Sequence, residues 1–382
     1  MKILHLITTL ETGGAEIMLV KLLSRLNEHR FSNHVVSIAL PGTVGDQIRS
    51  MGISVSHLGF QHNKMSFSGT ISLVKLIRKF RPDILQTWMY HADLLGLVAA
   101  KIAGTGKVIW NIRTTRGKFS QYKWPTFMVI RLCCMLSRFP NAVIVNSHKG
   151  MVDHRKLGYS PKRFVMIPNG FDLDVYKPSQ NSRKRIRTEL LLTERTPCVG
   201  FFARFDPIKG HRIFLQAAKF ICKNVKDTHF IFCGHHMDTN NVVLNSWIKE
   251  FDLENAVHLL GHRDDISDIM AAMDTIVSCS FNEGFSNVIG EAMACGIPCV
   301  VTHVGDSAQI VGKTGKVIPS GNPVHLARAV LDLLTMSVEK RKTLGNMARE
   351  RIGKHYALDE IVNRYKRLYV DVTLEKHKVC HG

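Results

Sequence analysis

The segment 275–301 has the pattern of a strand, a glycine-containing turn, a short helix and a second strand. Thr275–Ser278 is typical of a buried strand, and Gly296 separates the short apolar stretch before it from the strand-like run 297–301. Between the strands, the sequence from Gly284 to Asn287 favours the start of a helix. Such a unit, repeated along a chain, predicts an α/β fold with helices packed on a parallel sheet.

Two carboxylates lie eight positions apart in this unit. Glu283 precedes the predicted helix, and Glu291 falls in its first or second turn. Both can therefore border one cavity, which suits a polyhydroxylated, anionic ligand whose anionic part faces the helix N-terminus. From the residues alone two other interpretations stay open: a catalytic pair of carboxylates, or an ordinary helix start at which the dipole favours an acidic residue.

The same alternation of strands and helices occurs on both sides of a break at 167–174. Pro168-Asn169-Gly170 has the chemistry of a turn, and we place a domain linker there. A chain of 382 residues has ample length for two domains with separate cores.

In the first half, distinctive residues follow predicted strands at the end where ligands bind in open α/β sheets. Gly13 and Gly14 follow the strand 2–8, and paired glycines let backbone amides approach a phosphate. A plain tight turn is the alternative. His91 follows the strand 83–87 in a predicted loop, and its alternative is a helix cap or a surface group.

In the second half, Arg204 and Lys209 flank the loop after the strand 198–202. A forked guanidinium and a point-charge ammonium together suit a diphosphate. Two further predicted strands end at Gly234 and Gly261 on the same presumed ligand side.

The net charge of +20 is unevenly distributed. Residues 1–175 hold 23 Lys and Arg against 9 Asp and Glu, and the segment 94–152 holds no acidic residue. Such a basic half predicts an anionic partner, which could be phosphate, nucleic acid or a membrane surface. Basic and aromatic residues alternate near position 120 and suit a membrane surface, although a solvated loop followed by a core helix has equal weight. The candidate acceptor or membrane contacts are Arg113, Arg116, Lys118, Lys123 and Trp124.

Composition argues against several other classes. The nine cysteines include no Cys-x-x-Cys pair, which is typical of free thiols in a reducing cytosol. The sequence has no apolar run long enough to cross a membrane, and its first residues favour a strand over a signal peptide. Asp172 and Asp174 have the spacing of a metal-binding pair, but their place in a linker argues against that role.

Five motifs follow one another along the whole chain: Gly13-Gly14-Ala15-Glu16, Gln86-Thr87-Trp88 with Tyr90-His91-Ala92-Asp93, Ile167-Pro168-Asn169-Gly170, Arg204 with Lys209-Gly210, and Glu283 with Glu291. Together they resemble the motifs of family 4 retaining glycosyltransferases of the two-Rossmann-domain (GT-B) class. The resemblance implies an α/β GT-B architecture with two Rossmann-like domains facing across a cleft. Residues 1–170 would form the acceptor-binding domain, with the last helix at about 355–382 crossing back to it, and 171–354 the donor-binding domain.

The resemblance also implies roles. Arg204 and Lys209 would bind and neutralise the donor diphosphate, and Glu291 would hold the ribose hydroxyls. Glu283 would contact the donor sugar, and His91 would contact the sugar or the reacting centre. The catalytic set is thus His91, Glu283, Arg204 and Lys209. Further donor contacts would be Gly13, Gly14, Gly234, His262, Phe285, Ser286, Asn287 and Val288.

The implied reaction moves a hexosyl or N-acetylhexosaminyl unit from a nucleotide sugar, with UDP as the expected nucleotide, to an acceptor hydroxyl. A lipid-linked saccharide of bacterial surface polysaccharide is the expected acceptor. No metal, other cofactor or nucleic acid is expected, and the expected location is the cytoplasmic face of the inner membrane. The alternatives are a nucleotide-sugar epimerase of the same architecture and a nucleic-acid-binding protein. The sequence departs from the family pattern at Ala203, His235-His236 and Asn322.

Overall fold

The computed structural model describes residues 1–26, 30–40, 42–60, 67–115 and 124–374. The chain forms two compact units, one of residues 1–170 together with the segment from Leu358 onward, and one of residues 171–357. Each unit is built on its own sheet.

The first unit contains a seven-stranded sheet in the order β3-β2-β1-β4-β5-β6-β7, with all strand pairs parallel. Its elements are β1 (Lys2–Ile7), α1 (Gly14–Leu26), β2 (Ser32–Ser37), α2 (Thr43–Ser50), β3 (Ser54–His57), α3 (Phe67–Phe80), β4 (Ile84–Trp88), α4 (Tyr90–Ala103), β5 (Val108–Ile112), α5 (Trp124–Leu136), β6 (Ala142–Val145), α6 (His148–Lys156) and β7 (Phe164–Met166).

The second unit contains a six-stranded parallel sheet in the order β10-β9-β8-β11-β12-β13. Its elements are α7 (Gln180–Glu189), β8 (Cys198–Phe202), α8 (His211–Asn224), β9 (His229–Cys233), α9 (Val242–Glu250), β10 (Val257–Leu259), α10 (Ile266–Ala271), β11 (Thr275–Ser278), α11 (Asn287–Ala294), β12 (Cys299–Thr302), α12 (Ser307–Val311), β13 (Lys316–Ile318), α13 (Pro323–Leu334) and α14 (Val338–Tyr356). The last helix, α15 (Leu358–Leu374), belongs to the first unit.

Both faces of each sheet are covered, as a parallel sheet requires. In β1, Ile3 and Ile7 pack into one core cluster, while Leu4 and Leu6 pack into the cluster on the other face. This alternation follows from the two-residue period of a strand. Because both faces are buried, these strands appear in the sequence as continuous apolar runs.

Helix α15 completes the first unit by burying a stripe of its side chains in the same cluster as Ile3 and Ile7. Its two tyrosines also reach polar side chains of the sheet. Tyr365 accepts hydrogen bonds from Asn111 and Arg113 at 3.1 and 2.9 Å, and Tyr369 donates one to Gln86. The expected return of the last helix to the first half is thus a packing contact with hydrogen-bonded polar side chains at its centre.

The α/β fold class is confirmed, and some strands, such as Ala142–Val145, have the predicted bounds. One prediction is wrong: the helix after β4 begins at Tyr90 and not at 94, so His91 lies in its first turn and not in a loop. Met89, with a φ of 74°, makes the abrupt turn from strand to helix that the sequence pattern did not reveal. Helices α7 and α9 and strand β13 were not predicted, because they are short or largely polar.

None of the helices in the described ranges is long and apolar enough to cross a membrane.

Candidate functional site

In the second unit, the chain order reverses between β8 and β11, which lie side by side at the centre of the sheet. The crevice outside the carboxyl ends of such a strand pair is where open α/β sheets bind ligands. The loops that follow these strands carry Arg204 and Lys209 after β8, and Glu283 after β11. The structure therefore brings the predicted charged residues of this half to one edge of one sheet.

The two loops are joined through their backbones. The amide of Phe281 donates to the carbonyl of Ile208 at 2.8 Å. Gly210 has a φ of 77°, and a Cβ added there would lie 2.4 Å from the carbonyl oxygen of Cys279. Only glycine allows this close approach at this conformation, so Gly210 fixes the position of Lys209 against the loop that carries Glu283.

Lys209 and Glu283 form an ion pair, with 2.5 Å between Nζ and Oε1. The hydroxyl of Ser280 donates to the same Oε1 at 2.8 Å. The Lys209 side chain is 22% exposed and that of Glu283 is 13% exposed, so both still have surface available to a ligand. The partial burial makes this pair stronger than an ion pair on the open surface.

Arg204 lies at the mouth of the site and is held by Asp206. Its Nη2 and Nε lie 2.7 and 3.1 Å from Oδ2 of Asp206, and its side chain is 65% exposed. Asp206 also caps the short 3-10 turn Pro207–Lys209 by accepting from the amide of Ile208 at 3.0 Å. Burial opposes ionisation of Asp206, but the amide and the guanidinium outweigh it and lower its pKa.

Gly234 and His262 lie at the ends of the neighbouring strands β9 and β10. Gly234 has a φ of 144°, and a Cβ there would lie 2.1 Å from the carbonyl oxygen of Ala203, directly before Arg204. The His262 ring lies 4.3 Å from that of His235, with both residues exposed. These residues therefore border the Arg204 loop on the side away from Glu283.

Helix α11 begins at Asn287, as the turn sequence predicts. Ser286 and Val288 line a small cavity together with Lys209 and Glu283. The Phe285 ring instead packs against the core of the unit, where its centre lies 6.1 Å from that of the Phe171 ring, and it is partly buried.

Glu291 lies in the second turn of α11 and is half-buried. Its neighbourhood differs from that of Glu283, because its carboxylate lies beside the phenol of Tyr176. Burial raises the pKa of Tyr176, and the Glu291 carboxylate raises it further. The two carboxylates are therefore held by different groups.

In the first unit, Gly13 ends the loop that follows β1, and Gly14 is the first residue of α1. A Cβ on Gly14 would meet no atom within 4 Å, whereas one on Gly13 would lie 2.4 Å from Oε2 of Glu16. The Glu16 side chain therefore folds back over this turn, and burial raises its pKa. A phosphate that approaches the glycine turn would meet this carboxyl group.

His91 lies in the first turn of α4, directly after β4, and β4 neighbours β1 at the switch point of this sheet. Burial lowers the pKa of His91. Two residues further on, Asp93 is buried, and its Oδ1 accepts a hydrogen bond of 2.5 Å from Thr87. Burial raises the pKa of Asp93 to about 8, although this hydrogen bond opposes the shift.

The predicted acceptor or membrane residues have different surroundings. The Arg113 guanidinium is held inside the first unit by Tyr365, by Asn111 and by the side chain of Asn169. This arrangement does not favour Arg113 as a membrane contact. Trp124 is 69% exposed, and Arg116, Lys118 and Lys123 lie outside the described residues.

A cavity of about 670 Å³ lies elsewhere in the second unit, beside Pro197, Asp274 and Pro298. These residues directly precede β8, β11 and β12, so the cavity lies at the opposite edge of the sheet from Lys209 and Glu283. We place the candidate site at the smaller cavity, because the predicted phosphate-binding cations lie there.

Two supporting residues were missed from the sequence. Asp206 had a local signal, because an Asp directly before a Pro is a common start of a helical turn. Ser280 had none, since its contact with Glu283 depends on how the loop after β11 folds.

Among the residues that the structure describes, no group of three or more His, Cys, Asp or Glu side chains could hold a metal ion. Asp172 accepts hydrogen bonds from the amides of Asp174 and Val175 at 2.9 and 3.3 Å, and so stabilises a turn.

Two doubly wound parallel sheets in one chain, with charged loops at the switch point of the second, are the architecture of the GT-B class of glycosyltransferases. A family model described as Glycosyltransferase Family 4 matches residues 12–175, and one described as Glycosyl transferases group 1 matches residues 196–336. The chain therefore belongs to the glycosyltransferase family that these two models describe.

Similar proteins support this assignment. The UDP-Gal:alpha-D-GlcNAc-diphosphoundecaprenol alpha-1,3-galactosyltransferase of Escherichia coli is 26% identical, over 80% of this chain and 80% of that protein. The N,N'-diacetylbacillosaminyl-diphospho-undecaprenol alpha-1,3-N-acetylgalactosaminyltransferase of Campylobacter jejuni is 24% identical, over 85% and 87%. The crystal structure of Anabaena HepE in complex with UDP superposes with a TM-score of 0.85 at 25% identity, over 97% of this chain and 100% of that one.

Proposed function

We propose that this glycosyltransferase moves a hexosyl or N-acetylhexosaminyl unit from a UDP-sugar to a hydroxyl of a lipid-linked saccharide, with retention of configuration. Two similar enzymes are named for acceptors linked to diphosphoundecaprenol, and one similar structure holds UDP. The observation that carries the proposal is the Lys209–Glu283 pair beside Arg204 at the carboxyl ends of β8 and β11.

The diphosphate leaving group gains negative charge as its bond to the sugar breaks. Lys209 and Arg204 would neutralise that charge, and the N-terminus of α11 would add a favourable dipole. Arg204 is already exposed and is held only at the surface by Asp206. If the Arg204 guanidinium turned from Asp206 to a diphosphate, one charged hydrogen bond would replace another, so the free-energy cost of the rearrangement would be small.

Glu283 would have two tasks in this site. Its pairing with Lys209 fixes the ammonium group, and its exposed part would contact the donor sugar. Glu291, in the second turn of α11, would hold the ribose hydroxyls. We propose front-face substitution, in which the leaving phosphate takes the proton of the acceptor hydroxyl, so neither carboxylate acts as a nucleophile.

The first unit would supply the acceptor side. His91 would contact the donor sugar or the reacting centre, and its lowered pKa favours the neutral imidazole at pH 7. Gly14 would let the backbone approach the diphosphate, since the space beside it is open: a Cβ added there would meet no atom within 4 Å. With a lipid-linked acceptor, the enzyme would work at the cytoplasmic face of the bacterial inner membrane.

The test begins with UDP and with UDP-linked glucose, galactose and their N-acetylamino forms in a thermal-shift assay, because a ligand that binds the folded state raises its stability. Transfer of the radiolabelled sugar to extracted membrane lipids then measures activity. Arg204→Ala should lower kcat/KM at least tenfold, since a charged hydrogen bond contributes about 1.5–3 kcal/mol.

Arg212→Ala is the matched control, because Arg212 lies in the same unit on α8 and pairs with Glu250 at 2.5 Å. We expect it to keep wild-type activity. Unchanged activity in Arg204→Ala would contradict the diphosphate role. A sugar-nucleotide isomer formed without an acceptor would indicate an epimerase, and loss of transfer on chelation with EDTA would contradict the proposed metal independence.

A further inference from the structure

Helix α5 is apolar on two opposite faces. On the inner face, Ile130, Cys133 and Cys134 are buried, and the helix packs against α4. A surface helix of a globular protein normally has polar residues on the other face. The outer face of α5 instead carries apolar residues.

The outer face is a continuous apolar stripe. Trp124, Met128, Leu132 and Met135 are spaced by four, four and three residues, which places them on one side of a helix. They are 69, 41, 41 and 71% exposed, and Phe139, just beyond the helix end, is 48% exposed. We call these five residues the α5 stripe.

Single exposed apolar side chains are ordinary, but a contiguous set marks a surface that another body covers. Helix α4, which packs against α5, also exposes apolar side chains: Val98 and Ile102 are 40 and 54% exposed and lie one turn apart.

Basic residues border the α5 stripe. Arg131 and Arg138 are exposed and lie seven positions apart, so they follow one edge of the stripe along the helix. The Arg138 guanidinium lies 5.2 Å from the centre of the Phe139 ring. No acidic residue occurs anywhere in 94–152 to offset this charge.

This charge pattern decides which partner fits. Two copies of the chain that met through the stripe would bring two surfaces of the same positive charge together, and like charges repel. A bilayer with anionic headgroups instead offers an apolar interior for the stripe and negative charge for its basic edge.

We propose that the α5 stripe docks on an anionic membrane, with α5 lying in the plane of the lipid headgroups. With 13 residues, the helix is too short to span a bilayer. The inference deepens the proposed function, since a lipid-linked acceptor would have to be met at such a surface. It also moves the membrane contact from Arg113, which is held inside the unit, to the outer face of α5.

The test is cosedimentation with vesicles of phosphatidylcholine alone and with vesicles of equal parts phosphatidylcholine and phosphatidylglycerol. The wild type should bind the anionic vesicles about tenfold or more tightly than the neutral ones, and added salt should weaken that binding. The emission of Trp124 should shift to shorter wavelength on binding, because Trp88 and Trp110 are already buried and Trp247 is half-buried.

Two double variants separate the two parts of the contact. Leu132→Ser with Met135→Ser should lower binding about tenfold or more through lost apolar contact, and Arg131→Gln with Arg138→Gln should abolish the preference for anionic vesicles. The matched control is Val242→Ser with Val243→Ser, at exposed apolar positions of α9 in the other unit, which should bind like the wild type.

UDP-induced thermal stabilisation, measured on every variant, reports folding and the donor site independently of the membrane. Equal binding of the wild type to neutral and anionic vesicles would overturn the proposal, and so would a serine variant that binds like the wild type. A wild-type dimer that Leu132→Ser with Met135→Ser converts to monomer, without vesicle binding, would show that a second copy covers the stripe. Vesicle binding without any stabilisation by UDP would leave docking intact and contradict the proposed function.

Discussion

Glu283 is fixed before any ligand arrives, because Lys209 and Ser280 both contact its Oε1, at 2.5 and 2.8 Å. A carboxylate held in this way needs little reorganisation when a donor binds, and preorganised charge is what electrostatic catalysis requires. The same ion pair keeps the Lys209 ammonium at the edge of the site. The function of Glu283 is therefore coupled to that of Lys209.

Glu283→Gln should lower kcat/KM about tenfold or more, because glutamine can still accept the Ser280 hydrogen bond but cannot balance the charge of Lys209. Ser280→Ala keeps the ion pair and should have a smaller effect, of about two- to tenfold, as expected for one neutral hydrogen bond. Steady-state kinetics on both variants measures this order. A larger loss in Ser280→Ala than in Glu283→Gln would contradict it.

Asp93 is the buried carboxyl group behind the His91 turn, and its pKa is raised to about 8 by burial. The folded state thus holds a proton that the unfolded state releases near the ordinary pKa of about 4. The stabilising contribution of protonated Asp93 is complete below that pH and is lost as the pH rises to about 8.

Asp93→Asn should therefore flatten the fall in stability of the first unit between about pH 4 and pH 8. Its amide is neutral throughout and can still accept the hydrogen bond from Thr87. Chemical denaturation at several pH values, followed by a probe in the first unit, makes the measurement. The control is Asp83→Asn, at an exposed carboxyl group, and an equally steep pH dependence in Asp93→Asn and the wild type would exclude this role.

Among the strands and helices, the sequence predicts the site best where function depends on the loop directly after a strand. The loops after β8 and β11 were assigned from local pattern, and the pairing of these strands brings Lys209 and Glu283 into contact. Strand neighbours, however, are set by topology and not by local sequence. For this reason the ion pair, the Ser280 contact and the inward position of the Phe285 ring could not be predicted.

Backbone conformation also limited what could be predicted from the sequence. The left-handed φ of Met89 starts α4 four residues early, and a methionine gives no local signal for such a turn.

The Arg113 guanidinium was predicted as a surface group because its sequence neighbours are basic and polar. Its actual partner Tyr365 lies more than two hundred positions away.

Asp274, directly before β11, holds the opposite edge of the second sheet. Its side chain is 7% exposed and accepts hydrogen bonds from the buried Arg187 at 2.9 Å and from the amide of Cys198 at 2.8 Å. Arg183 contributes a third contact at 3.1 Å. The cluster joins α7 to the starts of β8 and β11.

Asp274→Ala should cost about 3–5 kcal/mol, because it leaves the Arg187 guanidinium buried without its counter-charge. Asp274→Asn keeps an acceptor and should cost less. Asp264→Ala, at an exposed carboxylate nearby in sequence, should be nearly neutral. Urea unfolding followed by a probe in the second unit would contradict this account if the three variants had equal midpoints.

The division of the molecule into two units does not match the order of the chain. The first unit ends at Gly170 and resumes at Leu358, so α15 belongs to a core whose other members precede it by more than two hundred residues, apart from Ile167. Contacts this distant in sequence form late and require the intervening chain to fold or to span the gap. The stability of the first unit therefore depends on the last described helix.

Truncation after Ala357 tests this dependence. It removes Leu358, Ile361 and Tyr369 from the core of the first unit and leaves Gln86 without its hydrogen bond from Tyr369, whereas it removes no residue of the second unit. Each lost core side chain contributes about 1.5–3 kcal/mol of burial, which together is enough to open a marginally stable unit. Hydrogen exchange should show that β4 and β5 lose protection while β8 and β11 keep theirs. Equal loss of protection in both units would mean that they unfold as one cooperative body, and unchanged protection of β4 would mean that the core of the first unit is stable without α15.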